Sequence, residues 1–315
     1  MNVTDPHIPP MVSIALATYN GEEFLATQLD SLLAQTYTHM EIVISDDGST
    51  DGTLTMIENY IEKFPDISLH RNEGAHGIKK NFENAIRACK GEYIALCDQD
   101  DIWLPQKIEK LVNGIGSYAL IYHNSLFIDS AGRSLGKTIA DKRPGYTGND
   151  PKAFLLLNGV SGHACMFRKT LIPLALPFPE ARYHDWWLGF IAAQNGGVKY
   201  LNEVLVHYRQ HEKSKTDILA RKEETVHRKE FTIFEEELEW YNSCANIPGK
   251  EQPFFRKWAK LYDARKDQWF SFTLFKLARK NSGTLYIFKK KSKLSNFFES
   301  LKLLWGIKTK KAADH

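Results

Sequence analysis

The stretch Glu92-Tyr-Ile-Ala-Leu-Cys97, followed by Asp98-Gln-Asp-Asp101, places an apolar, β-prone run directly before three carboxylates. Such a run is typical of a buried strand, which would deliver its acids to the edge of a sheet. Carboxylates this close repel one another, so either their pKa values rise or a cation lies among them. Mg²⁺ and Mn²⁺ prefer oxygen ligands. The stretch predicts a metal site, and the alternative is a solvated acidic turn before a helix that begins at Ile102.

Three strand-loop-helix units precede this stretch. Each apolar run ends in a polar cluster, and an amphipathic helical pattern follows; the clusters are Thr18-Tyr-Asn-Gly21, Asp46-Asp-Gly-Ser-Thr-Asp-Gly52 and Arg71-Asn-Glu-Gly-Ala-His-Gly77. This alternation predicts a parallel sheet with helices on both faces, because parallel neighbours need crossover connections. Ligands of such sheets bind at the carboxyl ends of the strands, where all the polar clusters fall.

The alternation breaks down after Trp103. The remaining patterns predict strands at 119–122, 125–129 and either 198–201 or 204–206, a mobile loop at 131–150, a helix near 151–157, an extended segment at 160–168 and an apolar helix after Tyr183. Long helical patterns with Trp and Phe follow position 215. We therefore expect two parts, residues 1–215 and 216–315.

Charge is distributed unevenly along the chain. The net charge is +3, but residues 250–315 contain 17 Lys or Arg against five Asp or Glu. A basic segment of this kind favours an anionic neighbour, either a membrane surface or a nucleic acid. The four cysteines are scattered, which is typical of reduced thiols in a cytosolic protein. No apolar run reaches the length of about 20 residues that spans a bilayer, and no signal-peptide pattern is present, so we expect any membrane association to be peripheral.

With these pieces in order, residues 12–211 resemble the family 2 glycosyltransferases of the GT-A fold. The resemblance rests on the clusters at 18–21 and 46–52, on Arg-Asn-x-Gly at 71–74, on Asp-Gln-Asp-Asp at 98–101 and on His-Asp-Trp-Trp at 184–187. It implies an α/β fold, a Rossmann-like and mostly parallel sheet flanked by helices, with an α-helical C-terminal extension. The chain also resembles, more narrowly, bacterial enzymes that build rhamnose-containing and other surface polysaccharides. This narrower resemblance rests on Asp-Gln-Asp-Asp-Ile-Trp at 98–103 and on Tyr-Arg-Gln-His at 208–211.

The resemblance implies inverting, metal-dependent transfer of a hexosyl or rhamnosyl unit from a nucleotide-diphosphate sugar to an acceptor hydroxyl. The transmembrane helices and the Gln-x-x-Arg-Trp motif of processive members are not found, so we expect a non-processive enzyme. One alternative is a nucleotidyltransferase, which usually needs a Gly-rich, basic loop after the first strand that residues 18–21 do not provide. Another is a sugar-nucleotide-binding protein that has lost catalysis.

The family's Asp-x-Asp motif implies that Asp100 binds Mg²⁺ or Mn²⁺, with Asp98 on the metal or on the donor's ribose. Asp101 would assist, and its alternative role is to cap a helix that begins at Ile102. His211 falls where family members bring a His or Arg to the diphosphate or the metal.

The nucleoside contacts implied by the resemblance involve Thr18, Asn20, Glu22, Asp47 and Arg71. Two of these residues have an alternative role. Glu22 could be an acid in a first helical turn, which needs no ligand to explain it, and Arg71 could form a structural ion pair. Asp46 is either a nucleoside contact or a turn former, and Asp51 is expected to cap its helix.

Asp185 matches the general base of the family, although His184 replaces the usual Glu of that motif. Trp186 and Trp187 are either a platform for a sugar ring or core residues. For His163 we expect an acceptor-site or structural role in preference to metal binding.

The C-terminal region interleaves aromatic residues with Lys and Arg, a pattern typical of interfacial helices on anionic lipid. It would suit a glycan or polyprenyl-linked acceptor at the cytoplasmic face of the plasma membrane. The alternative is a helical hairpin packed on the catalytic domain. Nucleic acid is the least favoured partner, because no recognition motif accompanies the charge.

Overall fold

A computed structural model describes residues 9–74, 76–211, 230–290 and 292–306. Nine strands form one sheet. The strands are β1 (Val12–Thr18), β2 (Met40–Asp46), β3 (Ile67–Arg71), β4 (Tyr93–Cys97), β5 (Ile102–Trp103), β6 (Leu120–Ile128), β7 (Ser134–Thr138), β8 (Cys165–Arg168) and β9 (Val198–Arg209).

Helices cover both faces of the sheet and make up the C-terminal region. The α-helices are α1 (Leu25–Leu33), α2 (Thr53–Ile61), α3 (Ile78–Ala88), α4 (Lys107–Ile115), α5 (Ile139–Lys142), α6 (Ile172–Ala175), α7 (His184–Gln194), α8 (Glu230–Asn246), α9 (Gln252–Asp263), α10 (Phe272–Lys280), α11 (Ser282–Leu285) and α12 (Lys293–Lys302). Short 3₁₀ helices lie at Pro151–Phe154, Gly162–Ala164, Lys169–Leu171 and Ala264–Lys266.

The strand order is β3-β2-β1-β4-β8-β6-β9-β5, with β7 paired to β6. Strands β1 to β4 are parallel to one another where they pair, while β8 runs antiparallel to both β4 and β6. The expected mostly parallel α/β sheet is therefore confirmed. The register sets Thr18 beside Asp46 and Leu16 beside Cys97, so the polar residues after β1, β2 and β4 meet at one edge of the sheet.

Two apolar clusters pack against the two faces. One contains Leu29 of α1, Ile57 of α2 and Leu111 of α4. The other joins Phe82 of α3 to Trp187 of α7 and continues into the C-terminal helices, whose buried members include Trp240, Phe255, Trp258, Leu274 and Leu285. The helical C-terminal region thus shares a core with the catalytic part. The expected boundary at residue 215 lies outside the described residues, and the two-part division remains a prediction.

Several element predictions were wrong in detail. No helix begins at Ile102: residues Ile102–Trp103 pair with β9, which buries Trp103, and α4 begins only at Lys107. The two short strands expected at 119–129 are one strand, β6, and the alternatives at 198–206 are one strand, β9. Residues 131–150, expected to be a mobile loop, contain β7 and α5. Long-range pairing, which local patterns do not encode, decided each of these.

All four cysteines are buried free thiols, as expected. Among the helices of the described part of the chain, none combines the length and apolar composition needed to cross a bilayer.

Candidate active site

A cleft of about 1200 Å³ opens at the carboxyl ends of β1, β2 and β4. Its lining comes from these strand ends, from the loop after the 3₁₀ helix at Pro151–Phe154, from the start of α7 and from the segment before α12. The residues singled out from the sequence that line it include Thr18, Asn20, Asp47, Asp98, Asp100, Asp185 and His211.

The loop after β2 is built around Asp46, which is buried. Its carboxylate accepts hydrogen bonds from the Thr18 hydroxyl at 2.7 Å and from the Ser49 hydroxyl at 2.6 Å, and it also accepts the backbone N–H groups of Gly48 and Ser49. Asp46 is therefore the turn former of this loop. The Thr18 hydroxyl is thus committed to Asp46, and the Thr18 carbonyl accepts the Asn81 amide at 2.9 Å.

Asp47 and Asn20 face the cleft from neighbouring loops. The Asp47 carboxylate accepts the Asn72 amide at 2.8 Å and the Gly77 backbone N–H at 2.7 Å. Asn20 has a positive φ of 47°, and its side-chain oxygen accepts the backbone N–H of Thr50 at 2.8 Å. These contacts hold both residues in place at the cleft.

Glu22 and Arg71 are not among the residues that line the cleft, and their nucleoside contacts stay predictions. Glu22 accepts the Gly52 backbone N–H at 2.9 Å, and Arg71 pairs with Glu58 at 3.1 Å in an exposed ion pair. The ion-pair alternative for Arg71 describes what is observed. Asp51 accepts the Thr53 backbone N–H at 3.0 Å at the start of α2, as expected.

The acidic cluster after β4 divides into half-buried and fully buried members. The half-buried Asp98 and Asp100 line the cleft, and the Asp100 carboxylate lies 2.8 Å from Nε2 of His211. Asp101 is fully buried, where one oxygen accepts the Arg209 backbone N–H at 2.9 Å and the other has no hydrogen-bond partner among the described residues. The expected helix-capping alternative for Asp101 is wrong, since no helix begins there.

A buried lysine lies beneath this cluster. Nζ of Lys107 donates to the His163 carbonyl at 2.6 Å and lies 3.1 Å from the centroid of the Trp103 ring. Burial lowers the pKa of Lys107 to about 7, while burial and the neighbouring Asp100 and Asp185 raise the pKa of Asp98 to about 7. Burial also raises the pKa of Asp101 well above its usual range. A divalent cation among these groups would favour their ionised forms and offset their mutual repulsion.

Among the described residues, one set of three side chains brings its ligand atoms close enough to hold such a cation: those of Asp98, Asp101 and His163 lie within 4.8 Å of one another. Asp100, between Asp98 and Asp101 in the sequence, pairs with His211. Burial lowers the pKa of His163 to about 3, so its imidazole is neutral, as a metal ligand must be. The unpartnered oxygen of Asp101 also fits a cation at this place.

Asp185 lies in the first turn of α7 and faces the cleft. Its carboxylate accepts the Asn158 amide at 3.0 Å, the Trp186 backbone N–H at 2.7 Å and the Gly162 backbone N–H at 3.2 Å. Burial raises the pKa of Asp185 to about 6, and these hydrogen bonds oppose the rise. A carboxylate poised near neutral pH and held by three donors is suited to accept a proton.

The residues beside Asp185 have separate roles. His184 is buried, and its ring packs against Phe82 with neither nitrogen hydrogen-bonded. Trp187 belongs to the core and donates to the Ala175 carbonyl, whereas Trp186 lines the cleft. One tryptophan is thus a core residue, and the other is in a position to contact a sugar.

Sequence reasoning missed several residues of the cleft. Asn158 orients Asp185, and a set of basic and aromatic residues completes the opposite wall: Lys142, Arg143, Phe288, Lys289 and Lys290. The only signal for Asn158 was the Asn158-Gly159 pair, which is typical of a turn. The basic residues lie in segments whose positions depend on long-range packing.

Two relatives of known sequence match about three fifths to two thirds of the chain. An uncharacterised glycosyltransferase of Rickettsia typhi is 32% identical over 219 residues, which are 66% of this chain and 66% of that protein. A UDP-Glc:alpha-D-GlcNAc-diphosphoundecaprenol beta-1,3-glucosyltransferase of Escherichia coli, WfgD, is 30% identical over 196 residues, 59% of this chain and 71% of that one. The chain thus spans slightly less than two thirds of the length of the Rickettsia relative.

Solved structures share the fold. TarS of Staphylococcus aureus, residues 1–349 in complex with UDP-GlcNAc, has a TM-score of 0.57 at 18% identity, over 93% of this chain and 79% of that one. A mannosyltransferase of Pyrobaculum calidifontis in complex with GDP-Man and Mn²⁺ has a TM-score of 0.53 at 17% identity, over 95% and 76% of the two chains.

A family model decides the membership. The model described as glycosyl transferase family 2 matches residues 13–173, more than half of the chain. These residues hold β1 to β4, the acidic cluster and the wall that orients Asp185. The chain belongs to glycosyl transferase family 2.

Proposed function

We propose that the protein transfers a sugar from a nucleoside diphosphate sugar to an acceptor hydroxyl, with inversion at the anomeric carbon and with Mg²⁺ or Mn²⁺. The observation that carries the proposal is the position of Asp185 in the same cleft as Asp98 and Asp100. In a single displacement, the base and the group that stabilises the leaving diphosphate must lie on opposite sides of the reacting carbon. One cleft that holds both supports this reaction.

The proton and electron pairs move as follows. Asp185 accepts the proton of the acceptor hydroxyl, and the acceptor oxygen forms a bond to the anomeric carbon while the bond to the diphosphate breaks. Asp98 and Asp100, with His211 or with Asp101 and His163, would hold the cation. When bound, the cation neutralises the charge that develops on the leaving diphosphate.

The donor site is proposed from Thr18, Asn20, Asp47 and Asp98. Asp47 and Asn20 are held by Asn72, Gly77 and Thr50, so a nucleoside would meet polar groups that are already ordered. The UDP-GlcNAc and GDP-Man complexes of proteins with this fold support a nucleoside diphosphate sugar as donor.

A thermal-shift panel tests the donor and the metal together. UDP, dTDP, GDP and CDP are each added with Mn²⁺ or with EDTA. We expect one nucleotide to raise the melting temperature, and only with Mn²⁺. At a nucleotide concentration of 100 times Kd, binding should add about 2.7 kcal/mol to the free energy of unfolding. Asp100→Asn should lose this rise, and Asp66→Asn, the same change at an exposed site, should keep it. If no nucleotide stabilises the wild type under either condition, the proposed reaction is wrong.

The acceptor is proposed to be a glycan or polyprenyl-linked sugar of bacterial surface polysaccharide, reached at the cytoplasmic face of the plasma membrane. The name of WfgD, whose acceptor is an alpha-D-GlcNAc-diphosphoundecaprenol, supports a lipid-linked acceptor. The structure offers a surface that suits a membrane. Exposed aromatic side chains gather in the C-terminal region, and we call them the aromatic patch: Trp269, Phe270, Phe272, Phe298 and Trp305.

The aromatic patch has the composition of an interfacial surface. The Phe270 ring lies 5.1 Å from Trp305 and 5.9 Å from Phe272, and these side chains are about half exposed. Exposed lysines lie near members of the patch along the chain, among them Lys266, three positions before Trp269. Aromatic rings at the headgroup level and lysines near anionic lipid both favour binding.

Sedimentation with phosphatidylglycerol vesicles tests this surface. We expect the wild type to bind at low salt and the double variant Trp269→Ser/Phe272→Ser to bind much more weakly. Leu174→Ser removes an apolar side chain of similar exposure elsewhere and serves as the control. Equal binding by the patch variant and the control would refute the role of the aromatic patch.

A further inference from the structure

Three basic side chains line the cleft on the wall opposite the acidic cluster, and we call them the cationic rim: Lys142, Arg143 and Lys290. Among the described residues, no carboxylate lies within ion-pair distance of their charged groups. Lys289, which also lines the cleft, differs because it pairs with Glu299 at 3.0 Å. The rim therefore carries positive charge that no ion pair among the described residues neutralises, although Arg143 interacts electrostatically with Asp185 and Lys290 with Asp141.

Backbone carbonyls hold the rim in place. Nη1 of Arg143 donates to the Asn158 carbonyl at 2.9 Å, and Nζ of Lys290 donates to the Asp141 carbonyl at 3.3 Å. Helix α5, which ends at Lys142, begins with a capping box in which Asp141 accepts the Thr138 backbone N–H at 2.8 Å. The guanidinium of Arg143 and the ammonium of Lys290 each have several N–H donors, and these contacts use only some of them. The remaining N–H groups can bind a ligand.

The rim lies directly beside the proposed base. Asn158 links the two, because its carbonyl accepts from Arg143 and its amide donates to Asp185. The other oxygen of Asp185 accepts the N–H of Gly162, and the next residue, His163, lies with Asp98. The order across the cleft is thus acidic cluster, Asp185, then cationic rim.

The C-terminal region completes this wall. Phe288 is buried against Gly159, where a Cβ atom would lie 1.9 Å from its ring, and it contacts Phe154 at 5.3 Å between ring centroids. A side chain at position 159 would displace Phe288. The close approach of the ring to this glycine therefore sets where Lys289 and Lys290 enter the cleft.

We infer that the cationic rim is a binding subsite for a phosphate or diphosphate group of the acceptor. The inference rests on the proposed function. An acceptor whose reacting hydroxyl meets Asp185 places its other substituents beside Arg143, and an arginine with lysines is suited to phosphate oxygens. The diphosphate of the donor is expected on the other side of Asp185, at the acidic cluster, where a cation would neutralise it.

Isothermal titration with hexyl diphosphate in EDTA tests the subsite, because chelation removes metal-dependent binding at the acidic cluster. The double variant Arg143→Gln/Lys290→Gln should raise Kd at least about tenfold, since two charge-assisted contacts are lost. The matched control Lys276→Gln/Lys280→Gln removes two exposed charges outside the cleft and should bind as the wild type does. Hexyl glucoside, which is neutral, should not bind detectably to the rim.

Methyl diphosphate distinguishes the two sources of the anionic group. Equal affinity for the methyl and hexyl compounds supports a soluble phosphorylated acceptor, and tighter binding of the hexyl compound supports a lipid-linked one. The inference is overturned if the rim variant binds hexyl diphosphate as well as the wild type does, or if the wild type does not bind it.

Competition separates this subsite from the donor site. In a second titration with Mg²⁺ in place of EDTA, the nucleotide found by thermal shift should leave the affinity for hexyl diphosphate unchanged. If the nucleotide displaces hexyl diphosphate competitively, the cationic rim belongs to the donor site and the inference is overturned. A protein that is stabilised by a nucleotide but does not bind hexyl diphosphate refutes this inference alone, whereas one that no nucleotide stabilises refutes the proposed function.

Discussion

Replacement of Asp185 by asparagine removes the proposed base while it preserves the shape of the side chain. General-base catalysis contributes about 10²- to 10⁴-fold to a rate. We therefore expect kcat to fall by about 10²- to 10⁴-fold, which corresponds to about 2.7–5.4 kcal/mol in the activation free energy. Donor affinity should stay within about threefold of the wild type, because Asp185 is not among the proposed donor contacts.

The same substitution should also lower the free energy of unfolding, because it changes the hydrogen bonds that residue 185 can accept. Asp185 accepts from Asn158, Trp186 and Gly162. An asparagine oxygen can keep the first two, but its NH₂ group then faces the N–H of Gly162, which loses its acceptor. An unsatisfied buried donor costs about 1–3 kcal/mol in the free energy of unfolding. Urea denaturation measures this loss, and kinetics are then compared at a temperature where both proteins are folded.

The reaction is monitored by the release of nucleoside diphosphate from the nucleotide sugar. The acceptor in this assay is N-acetylglucosamine linked to an alkyl diphosphate. Asp66→Asn, an identical chemical change at an exposed position, controls for the loss of one charge. If folded Asp185→Asn keeps kcat within about threefold of the wild type, Asp185 is not the base and the reaction must use another group.

Three further predictions concern the metal, the pH profile and the buried lysine. Asp100→Ala should weaken donor binding at least about tenfold with Mn²⁺, so that Mn²⁺ no longer raises the affinity above its value in EDTA, as measured by titration calorimetry; a variant whose affinity still rises with Mn²⁺ as in the wild type would contradict a metal role. Because burial raises the pKa of Asp185 to about 6, the base is protonated below that pH, so kcat should fall about tenfold per unit there; a flat profile down to pH 5 would argue against it. Lys107→Met leaves the buried carboxylates without their ammonium and should lower the free energy of unfolding by about 3–5 kcal/mol in urea, whereas Lys110→Met, at an exposed lysine, should change it little.

Much of the donor side of the site could be predicted from local patterns. An apolar run that ends in acids, as at Asp98, predicts a strand that delivers them to a sheet edge, and the same logic applies to Thr18 and Asp47. These positions line the cleft because parallel strands end together. Glu22 and Arg71 have the same sequence context, yet they point into intramolecular contacts, because side-chain direction depends on neighbours that a single sequence does not reveal.

The acceptor side was decided by tertiary structure. The sequence by itself determined the α/β class and the order of the polar clusters, since periodicity and turn chemistry are local properties of the chain. The candidate base was implied by the family resemblance. It did not determine that Asp101 is buried or that Lys290 reaches the Asp141 carbonyl, a residue 149 positions away. Contacts at such separations arise only when the helices of the C-terminal region pack on the sheet and bury their aromatic residues, and that packing brings the cationic rim to Asp185.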